Sequence, residues 1–396
     1  MNKLIFFPSL SAGNSRSWLL KNKEIRPGLS TRFYEKGYPE NLYHPYFLLT
    51  AGHLFKKMDI RNEMGLNDAF VIGDSGGYQI ATGAVKWNME IREQIFHWLE
   101  ANSDIAMNLD MPTTFGTFSN RFDDALKISI DNFKYFETNQ SGKTKFLTVL
   151  QGIGTSLELG KKWYNAVKDF VFNGWAFGGS RYIDRIFYAI ALFASEKEFE
   201  KKHVKYLHYL AATSPLHLIL LAMVQRVLNI YYPDKFQVST DSSSPNLSSV
   251  YGSFYTGINW SDLSLSSMTL GKKHDLNSDA NLPCVLQCEV CNGATFNHIN
   301  KFDEHHYIIV THHNMAIFTH MLRFINNLME GTDDSIQEFL SPSLFSAYES
   351  LKEMFESDNP IQVYYKYLPI YNKIGSKDIV IGADQDIINE FFEVTP

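Results

Sequence analysis

Three aspartates, a glutamine and a pair of glycines stand directly after short apolar runs, and all are residue types that can act on a sugar or a base. Phe70-Val71-Ile72-Gly73 leads into Asp74, and Ile105-Ala106-Met107-Asn108-Leu109 into Asp110. Phe146-Leu147-Thr148-Val149-Leu150 leads into Gln151-Gly152, Trp175-Ala176-Phe177 into Gly178-Gly179, and Phe236-Gln237-Val238-Ser239-Thr240 into Asp241. Paired carboxylates on one rim suit displacement at an anomeric carbon, one attacking as nucleophile while the other shuttles a proton. An amide side chain and exposed backbone N–H groups can read the polar edge of a purine-like base. In Asp74-Ser75-Gly76-Gly77-Tyr78-Gln79 two glycines let the backbone turn sharply and approach a ligand, and Tyr78 offers a ring face to a planar molecule. Singly, Asp74 reads equally well as a helix cap before a tight turn, Asp241 and Asp110 as Asx turns or caps, and Gly178-Gly179 as a simple turn. Their joint placement at different strand ends favours the chemical reading.

The elements that must position them alternate. Between the runs lie helix-length segments at 87–101, 121–138, 156–173, 182–202 and 215–231, the second with Ala125, Ile128, Phe133 and Phe136 near helical spacing. Repeated strand–polar residue–helix units predict an α/β fold, a (β/α)8 TIM barrel with catalytic groups at the carboxyl ends of its strands. The N-terminal Leu4-Ile5-Phe6-Phe7 reads as a first strand, and a helix is expected around 46–57. Segment 241–281, rich in Ser, Asn and Gly, is expected to carry active-site loops or a short hairpin. Helices are expected at 314–329 and 336–357, with a short apolar run at Ile379-Val380-Ile381. The expected organisation is a barrel core over 1–281, a zinc-binding subdomain over 282–330 and a helical tail over 331–396 belonging to the same unit.

Composition bounds the rest. The 396 residues are 45% hydrophobic, 20% charged and 14% aromatic, enough for a large core, with a net charge of −7 that argues against a wholly basic surface made for nucleic acid. Local basic clusters occur at Lys161-Lys162, at Lys201-Lys202 with His203 and Lys205, and at Lys272-Lys273-His274, and such clusters are more often solvated faces than binding sites. No run approaches the roughly 18 apolar residues of a membrane span, and the N-terminal stretch is too short for a signal-peptide core, so a cytoplasmic protein is expected.

The three cysteines fall within eight residues, Cys284, Cys288 and Cys291. An odd count so confined is no disulfide framework but can fold around one ion. A tetrahedral structural zinc needs a fourth ligand, and His298, His305, His306, His312, His313 and His320 all follow downstream.

Taken together, these residues resemble the tRNA-guanine transglycosylase family. Asp74 to Gln79 match its Asp-Ser-Gly-Gly-aromatic-Gln motif. In the family's order follow the strand-end Asp110, the Val-Gln-Gly type Leu150-Gln151-Gly152, and Gly178-Gly179. The Tyr-Leu…Thr-Pro type segment from Tyr209 to Pro215, Asp241 and the cysteine cluster complete the set, over about 70–330. The resemblance implies that Asp241 attacks C1′ of a guanosine nucleotide and that Asp74 is the general acid/base. It further implies that Asp110, Gln151 and the Gly178-Gly179 backbone hold the base edge, that Tyr78 and Leu210 sandwich its faces, and that Ser75 and Gly76 complete the pocket. A His-Asn pair before a helix supplies the family's fourth zinc ligand, which selects His313. A homodimer is a common family arrangement.

The departures carry information. Leu286 stands where the family's first cysteine would be, with Cys284 two residues earlier. Ser242-Ser243-Ser244-Pro245-Asn246 replaces the usual Cys-Val-x-Pro-Thr-Arg, Met111-Pro112 the Glu-Cys, and Ser180-Arg181-Tyr182 the Leu-Ser-Val-Gly-Glu. The pattern is more similar to the DpdA-like, DNA-directed branch of phages and bacterial DNA-modification clusters, which exchanges guanine in DNA for a 7-deazaguanine such as 7-cyano-7-deazaguanine. DNA is therefore the expected partner and tRNA the alternative. A glycoside hydrolase using Asp74 and Asp241 would not explain the cysteines or Tyr78, and a non-catalytic partner subunit would be marked by loss of the nucleophile.

Overall fold

The computed structural model describes residues 1–374 except 11–12, 114–115, 179–181, 213, 260–263, 271–280, 283, 285, 287 and 300–302. Eight parallel strands form one sheet: β1 (Ile5–Pro8), β2 (Tyr46–Thr50), β3 (Phe70–Asp74), β4 (Ile105–Met107), β5 (Lys145–Leu150), β6 (Gly174–Phe177), β7 (Tyr206–Tyr209) and β8 (Gln237–Ser242). The order is β1-β8-β7-β6-β5-β4-β3-β2, and a single parallel bridge between Ser9 and Leu48 brings its two edges together into a nearly closed barrel. Fully parallel strands are flanked by helices, which is why these segments read as continuous apolar runs.

Helices between the strands include Met89–Asn102, Phe122–Asn139, Leu157–Val167, Ile183–Ser195 and Pro215–Tyr231. Several starts are written into the sequence: Asn88, Ser156 and Ser214 each accept a backbone N–H of the first turn, satisfying a donor the helix itself cannot. The expected helix at 46–57 holds only at Ala51–Leu54: Tyr46–Thr50 is a barrel strand, in register with Phe70–Asp74. A short apolar run fits either state, and pairing with a neighbouring strand decides it. Tyr206–Tyr209 is a further barrel strand beyond the expected apolar runs, its pattern interrupted by polar His208.

After β8 come a short helix, Ser244–Val250, a hairpin of Ser253–Asn259 with Ser264–Thr269, the cysteine segment, and a 25-residue helix, Glu304–Leu328. That helix starts ten residues before the expected 314 and serves two cores. From Met315 onward it packs with the barrel, where Asn326 exchanges hydrogen bonds with both backbone groups of Leu4 at 3.0 Å. Its Ile308, Ile309 and Val310 join Cys288, Cys291, Phe254, Trp18 and Ile25 in a second apolar cluster. Asp333–Phe339, Pro342–Glu356 and Pro360–Ile374 complete the described chain, the last stacking Tyr371 on Phe187 at 4.0 Å. The run at Ile379 lies outside the described residues. Among the described residues no helix is long and apolar enough to cross a membrane.

Candidate active site and metal centre

The carboxyl ends of the strands bring Asp74, Asp110, Gln151 and Asp241 onto one rim. Asp110 is buried and accepts a hydrogen bond from Gln151 Nε2 at 2.7 Å. Burial pushes its carboxyl up to about 7, the Gln151 bond pulling the other way and the Asp74 charge adding to the rise. Asp74 is pushed up to about 6, again chiefly by burial, against a bond from the Gly76 N–H at 3.0 Å and with the nearby Asp241 charge raising it further. Two acids held near neutrality in one cleft are suited to proton transfer.

Asp241 is held differently. Its Oδ1 accepts from the Ala211 N–H and from His208 Nε2, each at 3.1 Å. Ala211 reaches it from the turn after β7 with φ of +55°, a left-handed conformation that costs a non-glycine residue about 1–2 kcal/mol. His208 is fully buried in β7, and its Nδ1 lies 2.9 Å from Ser239 Oγ. The consistent tautomer has Nε2–H donating to Asp241 and the Ser239 hydroxyl donating to Nδ1. Among the described residues no donor engages Oδ2, so the carboxylate is anchored by one oxygen and presents the other. A cavity of about 440 Å³ opens beside it, lined by Ala211, Ser214, His217 and Ser242-Ser243-Ser244.

The glycines at the rim make space for close approaches. A Cβ on Gly76, whose φ is +85°, would stand 2.5 Å from Gly52 Cα, and one on Gly178 would stand 2.4 Å from Gln151 Nε2. The Gly178 N–H is taken by the Leu150 carbonyl, so its contribution is room for Gln151. Tyr78, on the helix Gly77–Ala81, is 58% exposed. Ser75 is buried and donates to the Asn108 carbonyl, so it ties two strand ends together. Leu210 is half-buried against the barrel core. Gly179 lies outside the described residues.

Four residues of this site escape sequence reading: His208, Ser239, Thr50, whose side chain bonds Asp74, and His53, whose Nε2 lies 3.0 Å from Gln79 Nε2. The one available signal was His208, a titratable residue inside the otherwise apolar Tyr206-Leu207-His208-Tyr209.

Cys284, Cys288, Cys291 and His313 converge, their ligand atoms all within 4.8 Å of one another, and could hold a metal ion. The Cys284–Cys288 sulfurs are 3.5 Å apart, and His313 Nδ1 lies 2.9 Å from Cys291 and 4.0 Å from Cys288. A tetrahedron on bonds of about 2.3 Å has edges near 3.8 Å, so three thiolates and one imidazole fit a single ion. The outer partner is present as well. His313 Nε2–H donates to the Tyr255 carbonyl at 2.6 Å while its ring stacks on Phe254 at 3.9 Å, which leaves Nδ1 free of its proton and facing the sulfurs. Asn314 accepts the Tyr255 N–H at 2.9 Å, and its Nδ2 donates to the carbonyls of Ser253 and Pro245. The hairpin is thereby locked to the long helix.

Four of the other histidines are engaged elsewhere. His298 accepts from the Thr295 N–H, and His305, His306 and His312 bond the carbonyls of Ile25, Ile299 and Thr31. Comparison with family models and with curated proteins returned no match.

Proposed function

We propose that the chain is a guanine transglycosylase, a pentosyltransferase that exchanges guanine in DNA for a 7-deazaguanine such as 7-cyano-7-deazaguanine. The observation that carries this reading is Asp241, fixed through Oδ1 with Oδ2 presented, beside an Asp74 held near neutrality on the same rim.

In this reading Asp241 Oδ2 attacks C1′ of the target nucleotide. The C1′–N9 bond breaks, its electron pair leaves with guanine, and a covalent glycosyl ester remains. Asp74 supplies the proton the departing base takes up. The incoming 7-deazaguanine then gives its N9 proton to Asp74, attacks C1′ and frees Asp241, so the polymer backbone stays intact and no nucleotide is hydrolysed. Asp110 and Gln151, already bonded to each other, would hold the polar edge of the base, with Tyr78 on one face and Leu210 toward the other. A duplex target would have to be flipped out at a cost of roughly a few kcal/mol. Zinc is the ion that three thiolates and an imidazole suit best, and a fully protein-ligated site is architectural. Cys284, Cys288, Cys291 and His313 would hold it.

The test is base exchange with radiolabelled guanine or 7-cyano-7-deazaguanine, offering double-stranded DNA, single-stranded DNA and unmodified tRNA in parallel. Incorporation into DNA that disappears in Asp241→Asn, with fold and metal content retained, supports the reading. Incorporation into tRNA alone replaces DNA with tRNA as substrate, and exchange that survives Asp241→Asn removes the proposed nucleophile.

A further inference from the structure

A groove of about 620 Å³ lies beside the barrel mouth, within the range of roughly 300–1,000 Å³ found for ligand sites. Its lining brings together Arg16, His53, Lys56, Lys57 and Lys86 from three separate stretches of sequence, with no carboxylate among the lining residues. Lys57 has one distant carboxylate neighbour, Glu63 at 3.9 Å. Among the described residues Arg16, Lys56 and Lys86 have none within ion-pair distance. Unneutralised cations gathered in a concave surface are unexpected on a chain with a net charge of −7, because mutual repulsion opposes their assembly.

The groove is continuous with the support of the candidate site. Gly52 and His53, in its lining, follow the end of β2, whose Thr50 bonds Asp74. Gly52 packs against Gly76, whose N–H holds Asp74, and His53 contacts Gln79. An anion in the groove therefore lies next to whatever occupies the rim, and a polyanion could thread both.

We propose that this groove carries the phosphodiester backbone of the DNA strand flanking the target guanine, with Lys56 and Lys86 as its principal phosphate contacts. The inference rests on the transglycosylase reading for the identity of the polymer. Backbone contact by lysines is independent of sequence and releases counterions, so it has a signature in salt dependence that base recognition lacks.

The experiment is fluorescence anisotropy of a labelled guanine-containing DNA single strand, titrated with the full chain from 50 to 200 mM salt. Every protein compared carries Asp241→Asn, so no covalent glycosyl-enzyme forms and the titration reads binding alone. Lys56→Ala/Lys86→Ala should weaken binding roughly tenfold or more at the lowest salt and flatten the log–log salt slope by about 1.4, about 0.7 for each phosphate no longer neutralised on a single strand. Lys134→Ala/Lys161→Ala, which removes two exposed cations from Phe122–Asn139 and Leu157–Val167, should leave both quantities unchanged. Lys86→Glu should weaken binding further than Lys86→Ala, and thermal melting of each variant confirms the fold. Undiminished binding to DNA with the same slope in the groove variant overturns the groove while leaving the transglycosylase reading in place. An Asp241→Asn parent that binds tRNA but no DNA overturns the DNA assignment of both.

Discussion

His208 Nε2 and Asp241 Oδ1 stand 3.1 Å apart across neighbouring strands β7 and β8, with His208 wholly buried and oriented from behind by Ser239. Barrel register makes this pairing: Ser239 lies opposite His208, so Asp241 falls two residues further along the same strand. A buried imidazole with both nitrogens engaged is a rigid donor, and it fixes which carboxylate oxygen faces the cavity.

His208 is thus a positioning residue for Asp241. Replacing it with Phe should lower kcat for base exchange by about 10²–10³-fold, the usual effect of losing one preorganised donor, with a much smaller change in KM. His208→Gln, which keeps a donor, should recover part of the rate. Equal losses in kcat and KM for both variants, or a lowered melting temperature that accounts for the loss, would refute the positioning role.

The raised carboxyls make two predictions about pH. The half-reaction in which the incoming base attacks the glycosyl-enzyme should slow as pH drops through about 6, where solvent reprotonates Asp74 before it can accept the proton of that base, and Asp74→Asn should abolish that limb. Stability should move the other way. Asp110 has a folded value of about 7 against 3.8 for an unperturbed carboxyl, so its contribution is fully present below about pH 4 and lost as pH rises through 7. Asp110→Asn should therefore stabilise the protein at pH 8 by on the order of 2–4 kcal/mol and leave it unchanged at pH 4. Equal urea midpoints for both proteins at pH 8 would show that Asp110 is not held above its ordinary range.

Metal removal should reach Asp241 from a distance. His313 and Asn314 grip the hairpin at Tyr255, and Asn314 also bonds the Pro245 carbonyl four residues after Asp241. Chelation should release about one equivalent of metal and lower the melting temperature by roughly 5–10 °C. Hydrogen exchange should rise in 244–259. A bound ion whose removal shifts neither melting nor exchange would rule out the architectural role.

Gly178 tests the base-edge pair. A Cβ there would stand 2.4 Å from Gln151 Nε2, so Gly178→Ala must displace the amide from Asp110. The expected cost in stability is about 1–3 kcal/mol, with a KM for the incoming base raised more than kcat is lowered. A crystal structure of the variant with the 2.7 Å Gln151–Asp110 bond intact would refute the steric argument.

The rim was legible where chemistry and hydropathy coincide in a short stretch. A polar residue at the end of an apolar run identifies itself, which is why Asp74, Asp110, Gln151 and Asp241 stand out before any strand is paired. The two barrel strands that escaped, Tyr46–Thr50 and Tyr206–Tyr209, lack that signature: the first resembles a helix start and the second contains His208.

By itself the sequence determined the repeating strand–helix alternation, the carboxylates at strand ends and the trio of cysteines, because each is a local pattern set by residue type and spacing. Only the tertiary structure decided among six histidines, since His298, His305, His306 and His312 engage backbone groups away from the cysteines, whereas His313 turns its second ring nitrogen to the thiols. It likewise decided the His208–Asp241 bond and the gathering of Arg16, Lys56 and Lys86. Those pairings join residues from about 30 to 70 positions apart. Closure of the barrel brings them together, and no spacing along the chain records it.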